Sequence, residues 1–170
     1  MLTNRWLSLV GFLAVSLVGA VGCSSPPPAN RPANPAAEAM ARVMNEDVRV
    51  QRSWDALARQ GRISVVDYYR TLALTAMRRD LAGCPPEFQA AYRKNVEATQ
   101  QMLRVAMTYE GQIGSFQHLL NLYALEGTPA TTPVERAVQD AGRAMDDTWR
   151  QCEAVAARYG VTRANHPAAR

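Results

Sequence analysis

The feature that most constrains this chain is a succession of apolar stripes, spaced at three and four residues and bounded by residues that start or stop helices. Asn34-Pro35 supplies a cap and a first-turn proline, and Met40, Val43, Met44, Val48, Trp54, Leu57 and Ala58 then keep helical spacing up to Gly61. Ser64 to Asp67 reads as a variant capping box with Ile63 placed to staple onto Tyr68. Tyr69, Leu72, Ala73, Ala76 and Met77 carry the second stripe to an expected stop at Gly83. Cys84-Pro85-Pro86-Glu87 opens a third segment, in which Phe88, Ala91, Tyr92, Val96, Thr99, Met102, Leu103 and Ala106 recur as far as Gly111. That is about 36 Å of helix at 1.5 Å per residue, a bundle length.

After Gly111 to Gly114 breaks the chain, Ser115 caps a short segment holding Phe116, Leu119, Leu120 and Tyr123, which Gly127 closes. Thr132-Pro133-Val134-Glu135 is a capping box with proline in the first turn. Val134, Val138, Ala141, Met145, Trp149, Cys152 and Val155 then hold register to Gly160. The expected fold is all-α: an up-down-up-down four-helix bundle over residues 36–160, with a short helical insert between the third and fourth long helices. The insert reads as lid-like, its adjacent leucines covered by the open end of the bundle or by a ligand or partner. Residues 161–170 carry no apolar stripe and are expected to be disordered.

Ahead of the domain the pattern changes. Arg5 is followed by an apolar run from Trp6 to Val18 and by the small residues Ala20-Val21-Gly22 before Cys23, the layout of a signal peptide over residues 1–22. The run is shorter than the roughly 20 residues of a membrane span, and Ser24-Ser25-Pro26-Pro27-Pro28 follows it where a span would carry basic flanks. Residues 23–35 are too rich in proline for helix and read as a tether.

Ala20-Val21-Gly22-Cys23 resembles the lipobox of bacterial lipoproteins, departing from it at Ala20, where the family more often has leucine. The resemblance covers residues 1 to about 25 and is silent on the domain. It implies that the Cys23 thiol receives a diacylglycerol and becomes the first residue of the mature protein. The chain would then be bound to the membrane through its N-terminal lipid, and Ser24 is similar to the residue of members sorted to the outer membrane, facing the periplasm. The same small residues also suit ordinary signal peptidase, which would leave a soluble secreted protein with a free Cys23.

In an exported chain with Cys23 lipidated, Cys84 and Cys152 are the two cysteines left, and an oxidising compartment favours pairing them. Such a disulfide closes a long loop, for which chain entropy gives about 4 kcal/mol. Metal or redox roles lack the Cys-x-x-Cys spacing, and His118 and His166 are the only imidazoles.

Charge and motif narrow the function further. Lys plus Arg number 19 against 15 Asp plus Glu, and the arginines are spread along helices rather than clustered, which argues against a nucleic-acid partner. No nucleophile elbow, phosphate-binding glycine loop, haem motif or Glu-x-x-His pair is present, so neither enzyme, cofactor nor metal is expected. Glu46-Asp47 and Asp146-Asp147 read as solvated faces, and Asp80 as a buried or half-buried acceptor near Tyr92 or Arg150. The expected role is a lipid-anchored helical interaction protein of the cell envelope with an envelope protein as partner, Phe116, Leu119, Leu120 and Tyr123 being the candidate partner or ligand surface. The alternative is a carrier or sensor in which the insert gates an apolar cavity.

Overall fold

A computed structural model describes residues 34–124 and 129–161, so the leader, Cys23, residues 24–33 and the tail beyond Val161 lie outside the described residues. Asn34–Arg170 is a compact unit by itself. The described residues are all-helical: α1 Pro35–Arg59, α2 Val65–Met77, α3 Pro86–Thr108, α4 Glu110–Ile113, α5 Phe116–Ala124 and α6 Pro133–Arg158.

The starts follow the caps. Asn34 Oδ1 accepts from the amides of Ala36 and Ala37, and Ser64 Oγ from that of Asp67. At α6 the capping box is complete: Thr132 Oγ1 accepts from the Glu135 amide at 3.2 Å, and Glu135 Oε2 accepts from the Thr132 amide at 3.1 Å. Each bond satisfies an amide that the helix itself leaves open.

The second helix stops six residues before the expected Gly83. Asp80 Oδ1 accepts from the Ala82 amide at 2.8 Å, a local turn that competes with the helix ladder just where the apolar stripe has ended. Gly83 instead serves the connection between α2 and α3, at φ +80° and with α1 close by: a Cβ built on it would sit 3.3 Å from that of Ala39. The expected single insert is two helices, because Tyr109 interrupts the ladder and Gly114, at φ +63°, turns the chain before Ser115 caps α5.

The core has two parts. One holds Val65, Val66, Tyr68 and Tyr69 of α2, Met102 and Ala106 of α3, Ile113 of α4, the buried residues of α5, and Val134, Val138 and Ala141 of α6. The other holds Ala39, Met40, Val43 and Met44 of α1, Cys84, Phe88, Ala91 and Tyr92, and Cys152 and Ala156 near the end of α6. On α3 and α6 the stretch between the two is polar: Asn95 Nδ2 donates to Thr148 Oγ1 at 3.1 Å, and Thr99 Oγ1 donates to the Asn95 carbonyl at 2.9 Å. With Tyr159 reaching Glu87 at 2.6 Å, these pairs make α3 and α6 antiparallel neighbours.

One close approach fixes α5 on α6. A Cβ on Gly142 would lie 1.7 Å from Cε2 of Tyr123, so the ring occupies a notch that glycine alone leaves open. Glycine in mid-helix costs about 1 kcal/mol relative to alanine, and here it buys the seat of an aromatic ring. Gly142→Ala is expected to lower the urea unfolding free energy by about 1–3 kcal/mol through overpacking, and Tyr123→Leu in the same chain to restore part of it. A gain of stability, as for an exposed helical glycine, would contradict this packing.

Candidate functional site

The polar centre of the molecule is built where α1, α3 and the α2–α3 connection meet. Arg79, in that connection, donates from Nε to Asp47 Oδ1 at 2.9 Å and from Nη1 to Glu46 Oε2 at 2.6 Å; Nη2 also reaches Asp47. The other Asp47 oxygen accepts from the Tyr92 hydroxyl at 2.5 Å. The side chains of Arg79 and Asp47 retain only 11% and 18% of their exposure. Glu46-Asp47, expected on a solvated face, is therefore half of a largely buried ion pair. The roughly 100° between consecutive residues on a helix turns Asp47 inward and leaves Glu46 at the rim.

The electrostatics follow from burial. Desolvation pushes the Asp47 carboxyl above the ordinary carboxylate range, against the Tyr92 hydrogen bond and the Arg79 charge, which favour the ionised form. Burial is the largest influence on Arg79 and opposes its charge, but Asp47 and Tyr92 together outweigh it and hold the guanidinium protonated. Besides Tyr159 on Glu87, two further tyrosines bind carboxylates between helices: Tyr68 donates to Asp55 at 2.5 Å, and Tyr123 to Asp146 at 2.5 Å. Burial raises Asp55 as well.

The other expected site residues fall as follows. Phe116, Leu119 and Tyr123 are buried and Leu120 is partly so; the insert fills the end of the core, and these side chains pack inside it instead of presenting a partner or ligand surface. Tyr68 packs at a tilt against Phe116, 4.9 Å between ring centroids, sealing α2 to α5. Cys84 and Cys152 share one apolar cluster but are free thiols here, not a disulfide. Burial raises both, Cys152 to about 12, which leaves neither a ready nucleophile. Asp80, expected buried or half-buried, is 75% exposed; it serves its own turn and faces Arg42, with neither Tyr92 nor Arg150 as partner.

Asp80 lies in the α2–α3 connection, whereas Glu110 and His118 are exposed on α4 and α5 at the other end of α3. No group of histidine, cysteine and carboxylate side chains suited to a metal ion occurs among the described residues. None of the described helices is long and apolar enough to cross a membrane. A surface depression of about 420 Å³ is lined by Thr71, Leu74, Thr75, Arg78 and Arg79 on the outer side of α2. No protein-family model matches the chain, and neither the curated proteins nor the solved structures contain a match to it.

Removing one member of a largely buried ion pair strands the other, at about 3–5 kcal/mol. Arg79→Met is expected to cost about 3 kcal/mol by urea unfolding and Tyr92→Phe about 1–2 kcal/mol, with a coupling energy between them in the double variant. Additive losses would show that Asp47 does not join them.

The pH dependence has a definite sign. A carboxyl whose folded value lies above its unfolded one holds its proton longer in the folded chain, so Asp47 and Asp55 withdraw stability as pH rises from about 4 through their raised values. Glu87, held low by the Tyr159 hydroxyl, and Glu135, held low by Thr131, lose their contribution only below the ordinary glutamate range. The thermal midpoint is thus expected to be no lower at pH 5 than at pH 7. A fall of several degrees over that interval would contradict the assignment.

Proposed function

We propose that the protein is a lipid-anchored interaction protein of a bacterial cell envelope, carried on a diacylglyceryl Cys23 and sorted to the periplasmic side of the outer membrane. The observation that carries this reading is the order of segments: a charged start, a short apolar run, Ala20-Val21-Gly22-Cys23, ten residues rich in proline, then a helical unit that begins at Asn34. An interaction role fits a domain whose conspicuous buried polar groups, Arg79, Asp47 and Tyr92, are spent on holding helices together. The partner is an envelope protein.

An up-down-up-down arrangement of α1, α2, α3 and α6 belongs to the same reading. It is supported by the short α1–α2 connection, by the α2–α3 connection pinned back onto α1 through Arg79, and by the antiparallel neighbours α3 and α6. So does a Cys84–Cys152 disulfide: both thiols lie in one cluster, and exchange with a donor disulfide in an oxidising compartment would remove their protons and electrons.

The test is metabolic labelling with palmitate in a bacterial host, followed by crosslinking in intact cells and alkylation of free thiols. The wild-type chain is expected to incorporate label, fractionate with membranes, crosslink to a discrete envelope protein and resist alkylation at Cys84 and Cys152 until reduced. Cys23→Ser is expected to abolish the label and accumulate precursor. Labelling that persists in Cys23→Ser would overturn the anchor, and alkylation without reduction would overturn the disulfide.

A further inference from the structure

Large apolar side chains left exposed among the described residues are Leu74, Met77 and Met107, at 45%, 56% and 55%. They are not scattered. At about 100° per residue, Arg70, Leu74, Met77 and Arg78 fall within one arc of α2, and Arg93, Gln100, Arg104 and Met107 within one arc of α3. Gln100 Nε2 donates to Met77 Sδ at 3.0 Å, which joins the two arcs edge to edge. Beside Leu74 lies the depression that Thr71, Thr75 and Arg78 share.

The charge on this face is positive. Arg70 is paired with Asp67, and Arg79 with Asp47 and Glu46, while Asp80 faces Arg42. Arg78, Arg93 and Arg104 form no ion pair among the described residues, and Glu97 is the acid that shares their α3 arc. Apolar side chains flanked by unpaired arginines match the boundary of an anionic bilayer, where guanidinium groups meet phosphates and the apolar tips enter the acyl edge.

The start of the described domain bears on the same face. The first turns of α1 lie against the α2–α3 connection: Gly83 abuts Ala39, and the Arg42 guanidinium donates to the Ala82 carbonyl at 3.2 Å. The chain therefore enters the domain on the side of the α2–α3 connection, the segment that leads from Met77 and Arg78 to α3. Ten residues, 24–33, separate Cys23 from Asn34, a reach of at most about 40 Å. A face that holds a free protein on an anionic membrane only weakly and at low salt becomes sufficient when a lipid already keeps it there at high effective concentration.

Building on the anchored reading, we infer that the outer face of α2, with the adjoining edge of α3, is a docking surface for anionic phospholipid. The domain lies down on the leaflet that holds its anchor. Leu74 and Met77 insert at the headgroup boundary, and Arg78 and Arg104 bind lipid phosphates.

Residues 23–170 bearing Cys23→Ser contain the whole compact unit and no lipid, so their sedimentation with vesicles reads the face independently of the anchor. Vesicles of phosphatidylcholine with one-third phosphatidylglycerol at low salt are expected to bind the protein, and pure phosphatidylcholine to leave it in solution. Arg78→Glu with Arg104→Glu is expected to reduce binding by about tenfold or more, and Leu74→Ser with Met77→Ser severalfold. Arg136→Glu, on exposed α6 surface, serves as the control for charge, and the circular-dichroism melting of every variant as the control for fold. Equal binding to both vesicles, no binding at low salt, or an equal loss in Arg136→Glu would overturn the surface; no binding would turn the search for its occupant to the envelope protein. An unmodified Cys23 in cells would fail the anchor while leaving the vesicle result legible.

Discussion

A single guanidinium ties the chain together across the connection between α2 and α3. The α2–α3 connection has no ladder of its own, and Arg79 within it reaches both Glu46 and Asp47 on α1 while Tyr92 closes on Asp47 from α3. Three elements distant in sequence are thereby fixed at one point, next to the cluster that holds both thiols and Phe88. Ionised groups in such a place lose hydration, so the arrangement depends on each oxygen and nitrogen meeting a partner. Tyrosine hydroxyls supply several of those partners: Tyr68 to Asp55, Tyr123 to Asp146 and Tyr159 to Glu87 repeat the same device elsewhere. These bonds add direction to an apolar core that by itself would tolerate sliding of one helix along another.

Helices were legible in the sequence wherever a local interaction starts them. The Asn34, Ser64 and Thr132 caps act within three residues, and a reader needs nothing beyond that span to see them. The stop at Gly83 was misleading, because the competing turn at Asp80 and the pull of Arg79 toward α1 are respectively subtle and remote. The same distance hides the polar centre. Glu46-Asp47 looks like any acidic pair on a helix surface until Arg79 and Tyr92, 32 and 45 residues away, are brought to it. Gly142 looks like a weak point in the strongest helix, and only the ring of Tyr123 gives it a purpose.

The candidate surface shows the same limit from the other side. Phe116, Leu119, Leu120 and Tyr123 stand out in sequence as a short apolar segment in need of cover, and the core provides that cover, most tightly at Leu119 and least at Leu120. Met77, by contrast, merges into a stripe that reads as core, and Leu74 lies outside that stripe; their exposure follows from α2 having neighbours on its inner side and none outward. The arginines around them gain meaning only once α3 is laid alongside. The proposed function is thus divided between a local address at the N-terminus and a surface assembled by packing.

The address is the premise on which the rest of the biology stands. Its most direct test is the intact mass and N-terminal peptide of the mature protein isolated from bacterial membranes. The account requires a chain that begins at Cys23 and carries a diacylglyceryl thioether there. A mature chain that begins elsewhere, or one that begins at Cys23 with an unmodified thiol, would contradict it.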